Sequence, residues 1–439
     1  MKILLIDQIN MMLDFALRCE ADGHTVRVFR GADSQGVPST VGDGLLDTVP
    51  SWEPHMNWAD LILTSDNTKH IHSLESYRLR GFPLFCPTRA TAQWELERGT
   101  GQRVLEAAGI DCIPSHTFSN YDEAIAFVGK SLKRYVSKPS GDADKALSYV
   151  SSGPEDMTFM LEHWKQTQKK KVPFLLQEFI PGIELAVGGW FGRDGFSPWF
   201  LENFEHKKLM NDDKGENTGE MGTAMKYCQL EDSRLAQEML IPLTGELFRQ
   251  GYTGYIDVSV IIDRQGKPWP LEFTTRPGWP LFQIQQVLHP EPVEWMLDMV
   301  RGGGMGLTPH PDIAIGVIVA IPDFPYAKRP ASLLGGFPVW GVTAKNRYNF
   351  HPAEMKLGSA PTLQGGSLKP EAMLVSAGTF LFIVSGTAPT VTEARERAYS
   401  TLKEFRIPNS PMYRTDIGCR VQKQLPELQA LGYATSWKV

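Results

Sequence analysis

TGYIDVSVIIDRQGKPWPLEFTTRPG, residues Thr253 to Gly278, reads as two strands joined by a polar turn at Arg264-Gln265-Gly266. A turn centred between Arg264 and Gln265 sets Asp257 directly across from Glu272. Period-two alternation then gives them Ser259, Thr274 and Arg276 as companions on one face. Val258, Val260, Ile262, Leu271 and Phe273 line the opposite, apolar face. Opposed side chains have Cβ atoms about 4.5–5.5 Å apart, so two carboxylates there repel unless positive charge lies between them. A divalent cation fits that place. Oxygen-only ligands point to Mg²⁺ or Mn²⁺, and Mg²⁺ with few protein ligands completes its shell with phosphates. The plain alternative is a solvent-facing hairpin whose acids are screened by water.

Upstream, Lys138 sits in a strand-like segment, RYVSKP, followed by a polar turn, SGDAD, and Lys145. Two lysines bracketing a small-residue turn suit a polyphosphate, although surface lysines that extend their stems over the fold give the same pattern. LLQEFIPGIELAV places an apolar strand before Glu178, a Pro181-Gly182 turn, and Glu184 at the start of the next strand. Backbone at such a link can bond an adenine while a carboxylate beyond it accepts from ribose hydroxyls, or the link is an ordinary hairpin. Phe204 to Gly222, FEHKKLMNDDKGENTGEMG, has no apolar periodicity and is expected to be a long mobile loop, either a lid or an insertion.

Farther out, the first ninety-odd residues alternate strand and helix: ILLI, a helical stretch, TVRVF, then ADLILT and FPLFCP. Parallel strands with crossover helices are expected. The loop after the first strand, DQINM, lacks the glycines of a dinucleotide fingerprint, which disfavours a nicotinamide or flavin site. The middle, Glu97 to Thr308, is expected to be α+β with antiparallel sheet and a second hairpin at Arg193-Asp194-Gly195. The glycine-rich RGGGMGLTPHPD, Arg301 to Asp312, leads into IAIGVIVAI, AMLVSAGTFLFIVSG and a helix, VTEARERAYSTLKEF. Lys169-Lys170-Lys171 reads as a solvated run.

The 439 residues exceed one ordinary core. With 42% hydrophobic and 21% charged residues and a net charge of −6, the chain is neither disordered nor a basic nucleic-acid binder. No apolar run is long enough to span a bilayer, and Asp7 interrupts any signal-type N-terminus, so a soluble, cytoplasmic protein is expected. Five scattered cysteines without a C-x-x-C pair suit reduced, buried thiols.

Taken in order, Lys138 on its strand, QEFIPGIE, EHKK with NTGEMG, and the hairpin ending in LEFTTR resemble the ATP-grasp ligases, and among them the phosphoribosylamine–glycine ligase family of purine synthesis. AGTFLFIVSGTAPTVTEARERAYSTLKEF followed by YRTDIGCR is similar to that family's C-terminal signature. The resemblance spans nearly the whole chain. It implies an α/β and α+β architecture: a Rossmann-like pre-ATP-grasp domain at 1–97, an ATP-grasp domain at 98–308 with a small lobe at about 133–195, and a small C-terminal α+β domain at 309–439.

The same resemblance implies ATP and Mg²⁺ (or Mn²⁺) as cofactors. Lys138 and Lys145 would contact phosphates, with Arg98 where the family has a lysine. Gln177, Glu178, Phe179 and Ile180 would carry adenine contacts, and Glu184 would hold the ribose. Lys207, Asn217, Thr218, Gly219, Met221 and Gly222 match the substrate-proximal loop, Glu272 and Arg276 match the metal-binding glutamate and the arginine after it, and Arg414 and Asp416 belong to the tail signature. Lys138, Lys207 and Arg276 are the catalytic candidates; Asp257, Glu272 and Thr274 are the metal candidates. Departures are Thr274 for an asparagine, SGDAD for a glycine-rich turn, and DQINM and TSDNT for two N-terminal motifs at the face that receives the ribosylamine. The implied reaction joins glycine to 5-phosphoribosylamine through an acyl phosphate. The alternatives are ligation of another amino acid to a different amine, or an inactive nucleotide-binding relative. The partners expected are small molecules, with no nucleic acid and no membrane, in a monomer or weak homodimer.

Overall fold

A computed structural model describes residues 1–32, 36–139, 148–168, 173–289, 291–303, 308–326 and 335–439. Lys145, the SGDAD turn and Lys169-Lys170-Lys171 lie outside the described residues.

The N-terminal strands Lys2–Asp7, Thr25–Arg30, Thr48–Val49, Leu61–Thr64 and Leu84–Phe85 form one parallel sheet with Lys2–Asp7 at its centre. Ile3, Leu4, Leu5 and Ile6 are all buried, as a strand covered on both faces requires. The loops after Asp7 and Thr64 therefore emerge side by side at the carboxyl edge, where open parallel sheets receive ligands.

A second, antiparallel sheet comprises Ser115–Phe118, Phe174–Glu178, Tyr135–Pro139 and Tyr149–Val150. Helices Tyr121–Ser131 and Pro154–Thr167 share its core through Val128, Leu161, Trp164 and Tyr135. The third sheet has eight antiparallel strands, in the order Pro268–Thr274, Gly254–Asp263, Gly182–Gly192, Gly195–Glu205, Gly222–Gln229, Ile313–Ala320, Phe380–Ala388 and Phe350–Pro352. The C-terminal strands thus extend the central sheet: Ile313–Ala320 pairs with Gly222–Gln229 on one side and Phe380–Ala388 on the other. Helix Val391–Leu402 covers this end, with Val391, Ala394 and Ala398 buried.

The 253–278 hairpin forms in a different register from the one expected. Asp263 and Lys267 close a three-residue turn in which Gly266 has φ 78°, and Asp263 Oδ1 accepts from Gln265 N and Lys267 N. That shifts pairing by one residue, so that Val260 faces Pro270. A bulge at Leu271 shifts it by one more, so that Ser259 faces Glu272 and Asp257 faces Thr274. Pro270 has no N–H for a regular ladder, which suits it to a bulged position. Two one-residue shifts preserve the polar face but move Glu272 away from Asp257 by two positions. Val258, Val260, Ile262 and Phe273 are buried as expected, whereas Leu271, the extra residue, is only half-buried.

Phe204 to Gly222 is not an unstructured loop. Lys208–Met210 and Lys214–Asn217 pair as a small hairpin. Polar anchors described below hold it in place of apolar burial, which is why its sequence lacks periodicity.

Candidate functional site

Five elements converge on one cluster of charge. Glu184 stands near the start of Gly182–Gly192, Glu205 ends Gly195–Glu205, Lys207 follows two residues later, and Glu272 lies on Pro268–Thr274. Lys207 Nζ reaches Glu184 at 3.0 Å, Glu205 at 3.2 Å and Glu272 at 3.7 Å. Arg98, opening helix Arg98–Ala107, meets the other oxygen of Glu272 at 2.7 Å. Lys138, on Tyr135–Pro139 of the second sheet, lies within the field of Arg98, Glu272, Lys207 and Glu184. Three cations thus face three carboxylates.

Burial and the Arg98 charge pull the Lys138 ammonium down to about 8, with Glu272 opposing. Burial would lower Lys207, but Glu184, Glu205 and Glu272 together hold it well above its ordinary value. Glu272 is raised by burial and lowered further by Arg98, Lys207 and Lys138, and it stays ionised. Lys207 also lowers Glu184. Glu184, expected at a ribose, is therefore paired with Lys207 in the free protein. Glu205, the first residue of EHKK, was not among the expected site residues, and its place in that motif was the available signal.

Of the expected metal set, Thr274 lies directly across from Asp257, and Glu272 sits two residues along the same face. Asp257 is buried, accepting from Asn203 Nδ2 at 3.0 Å and Tyr255 OH at 3.0 Å, and burial followed by the Glu205 charge pushes its carboxyl up to about 7. Among the described residues, no three acidic, histidine or cysteine side chains form a metal-ligating group. Glu272 fits a hard divalent cation: its neighbours Arg98, Lys207 and Lys138 hold it ionised, and they are cations that phosphates can take over.

Arg276 pairs with Glu95 at 3.0 Å, and the same glutamate accepts from Thr275 N at 2.9 Å. This fixes the chain as it leaves the hairpin; Glu95 carries no motif. In the expected adenine segment, Gln177 is buried, Glu178 N donates to Pro114 O, Phe179 N donates to Arg134 O, and Lys133 pairs with Glu178 at 2.6 Å. Two of that link's N–H donors are therefore already engaged.

The substrate-proximal residues close the base of the small hairpin. Thr218 donates from N and Oγ1 to Lys207 O, and Met221 N donates to His206 O. Asn217 O accepts from Tyr326 OH. Gly222 has φ 152°, and a Cβ there would lie 2.5 Å from Gly316 O, so only glycine fits, while Gly219 faces open space. Arg414, expected to meet substrate, is 1% exposed and fully engaged with Asp213, Asp416 and Lys208 O. Asp416 also accepts from Asp212 N. Both residues hold the hairpin tip.

The N-terminal loops have their own bonding scheme. Asp7 accepts from Met11 N at 2.9 Å and Met12 N at 2.8 Å; Asp66 accepts from Thr68 N and Lys69 N. These carboxylates fold their own loops.

Residues 100–280 match the family described as phosphoribosylglycinamide synthetase, ATP-grasp (A) domain. Among curated proteins, the chain is 27% identical over 359 residues to a phosphoribosylamine–glycine ligase of Ralstonia nicotianae, covering 79% of this chain and 81% of that one. It is 27% identical over 353 residues to the ligase of that name from Leifsonia xyli, covering 78% and 80%. Among solved structures, the phosphoribosylamine–glycine ligase of Thermotoga maritima superposes with TM-score 0.71 at 20% identity, covering 95% of this chain and all of that one. A biotin carboxylase from Campylobacter jejuni gives 0.59 at 11% identity.

Proposed function

We propose that this chain, whose residues 100–280 match the ATP-grasp (A) domain of phosphoribosylglycinamide synthetase, is an ATP-dependent ligase that joins glycine to 5-phosphoribosylamine, giving glycinamide ribonucleotide, ADP and phosphate. The observation that carries this reading is the Lys207 cluster, where Lys138, Lys207 and Arg98 converge from three elements with their charges balanced only by carboxylates. Polyphosphate competes for such cations. A carboxylate is a poor acylating group because its oxygen leaves badly. Transfer of the γ-phosphoryl group to glycine gives an acyl phosphate, and attack by the acceptor's neutral amine expels phosphate and forms the amide. Lys138, Lys207 and Arg98 would stabilise charge on the moving phosphoryl group. Gln177 to Ile180 and Glu184 would take the nucleoside, with Glu184 freed as Lys207 turns to phosphate. Mg²⁺ or Mn²⁺ would be held by Glu272 and would supply charge neutralisation on the phosphates.

The proposed division keeps 1–97 for the acceptor side, 98–308 for ATP and glycine, and 309–439 as the cover that anchors the hairpin. No described helix is long and apolar enough to cross a membrane; a cytoplasmic monomer or weak homodimer is proposed. Incubation with ATP, glycine and freshly generated phosphoribosylamine, followed by mass spectrometry, should yield glycinamide ribonucleotide. Glycine-dependent ADP release with an amide formed only on another amine would replace the acceptor.

A further inference from the structure

Strands Met355–Gln364 and Ser367–Ser376 form a two-stranded antiparallel sheet of their own. Gly365 and Gly366, at φ 58° and 82°, make the two-residue turn at the tip of this ribbon. Opposed residues share a face, and on one face Leu357 stands across from Leu374 and Ser359 across from Ala372. Pro361 with Pro370 and Leu363 with Leu368 continue it to the tip. Lys356, Lys369 and Glu371 belong to the other face. At the base the uncharged face enters the main core, where Met355 is buried and Leu374 packs against it. Farther out the same face leaves the body. Leu357 is 43% exposed, Leu363 70% and Leu368 71%, and Ser359, Pro361, Pro370 and Ala372 are exposed with them. Antiparallel strands with one wet face ordinarily turn charge to the water, and this ribbon turns leucine and proline there. A contiguous apolar patch of this kind marks an interaction site.

The prolines fix the direction of approach. The tight turn makes Gln364 and Ser367 a hydrogen-bonded pair, so alternate pairs, Pro361 with Pro370 among them, are those whose backbone N–H positions point outward. Proline removes that donor from both edges at once, which blocks addition of a third strand there and leaves the face as the surface for contact. The order of bulk along the face then selects the occupant. From base to tip it runs leucine, small residue, proline, leucine on both strands. A second copy turned end for end about a two-fold axis lays Leu363 on Leu357 and Pro361 on Ser359, and equally Leu368 on Leu374 and Pro370 on Ala372, so that each ring meets a small side chain. Two chains of net charge −6 meet there without opposing like charges. We infer that the apolar face of the 355–376 ribbon is a self-association surface that docks on the same face of a second copy. The exposed face measures roughly 20 by 10 Å. Two such faces cover less than the roughly 1,200 Å² of a stable complex, so the dimer is weak and depends on concentration.

Sedimentation velocity of the full chain from about 1 to 500 μM should show a weight-average sedimentation coefficient that rises with concentration. Leu363→Asp and Leu357→Lys should each weaken association about tenfold or more, because each sets a charge against an apolar neighbour in the pair. Leu368→Asp, on the other strand, should weaken it equally. Leu363 and Leu368 are largely exposed, so their replacement should leave the melting temperature unchanged. Mixing the Leu363→Asp and Leu357→Lys proteins should restore association to within about threefold of the wild type, since the new acid and the new base then face each other. A wild type that stays monomeric over the whole range leaves the face to some other protein and overturns the second copy as its occupant. Association that Leu363→Asp and Leu368→Asp leave unchanged overturns the ribbon as the surface. Mixed variants that are folded but do not recover overturn the end-for-end packing. Ligation is read separately by the product assay, so its failure and the failure of this surface are distinguishable.

Discussion

The small hairpin at 208–217 carries a cluster of charge at each end, and the two clusters behave differently. At its base, Lys207 shares three carboxylates, is 33% exposed, and lies within the field of Lys138, while Arg98 shares Glu272 with it. At its tip, Arg414 is 1% exposed, with Asp213, Asp416 and a backbone carbonyl as partners. The sequence offered both as substrate contacts. An ion pair with an exposed side can exchange its partner for a ligand's charge; a buried, saturated one cannot without leaving a charge unpaired. The base cluster is therefore suited to chemistry and the tip cluster to anchorage.

Substitution at the base should affect turnover most. Glu272→Gln removes the one ionised carboxylate that touches both Arg98 and Lys207, and kcat/KM should fall about 10²–10³-fold, or about 3–4 kcal/mol of transition-state stabilisation. Its melting temperature should move little, because the lost pairs are partly solvated. A variant with wild-type turnover would make the base as structural as the tip.

Arg414→Met should reverse that pattern. Asp416 would lose its cation and Asp213 would keep only Arg420, destabilising the anchored hairpin by roughly 1–3 kcal/mol, less than for a fully enclosed pair because both acids are partly exposed. Hydrogen exchange should rise selectively at 208–217, with nucleotide affinity retained. Unchanged protection there would mean that the tip does not depend on Arg414.

Asp257 gives a smaller, pH-dependent contrast. Burial, then Glu205, raises its carboxyl to about 7. Below the unfolded value the group is protonated in both states and has no effect. As pH rises from there toward 7 only the unfolded chain ionises, so stability falls, and above 7 the loss is complete. Asp257→Asn should therefore exceed the wild type in urea midpoint most clearly near pH 8, by on the order of a few kcal/mol at most, and converge with it near pH 4. A gap independent of pH would remove burial as the cause.

How much could be read without coordinates differs in the same way. Alternation through GYIDVSVIID identified the strand and its apolar face, because period two is a local property, but the polar face with Asp257 and Ser259 is buried as well. The register depended on a three-residue turn and a bulge at Leu271, and neither leaves a pattern that separates Asp257-opposite-Glu272 from Asp257-opposite-Thr274. Lys138, Lys207 and Glu272 stood out as charges on or beside strands. Glu95 acquires its place only when remote segments meet, pairing with Arg276 and Thr275 some 180 residues on. The 204–222 segment read as a loop because its anchors are Arg414, Thr415, Asp416 and Arg420, some two hundred residues away.

The most direct test of carboxylate activation uses glycine labelled with ¹⁸O in both carboxyl oxygens, turned over with unlabelled ATP and phosphoribosylamine in unlabelled water. An acyl phosphate intermediate predicts one ¹⁸O in each phosphate released. Unlabelled phosphate, with both labels kept in glycine, would mean that ATP is hydrolysed without activating the carboxylate and would contradict the ligase assignment.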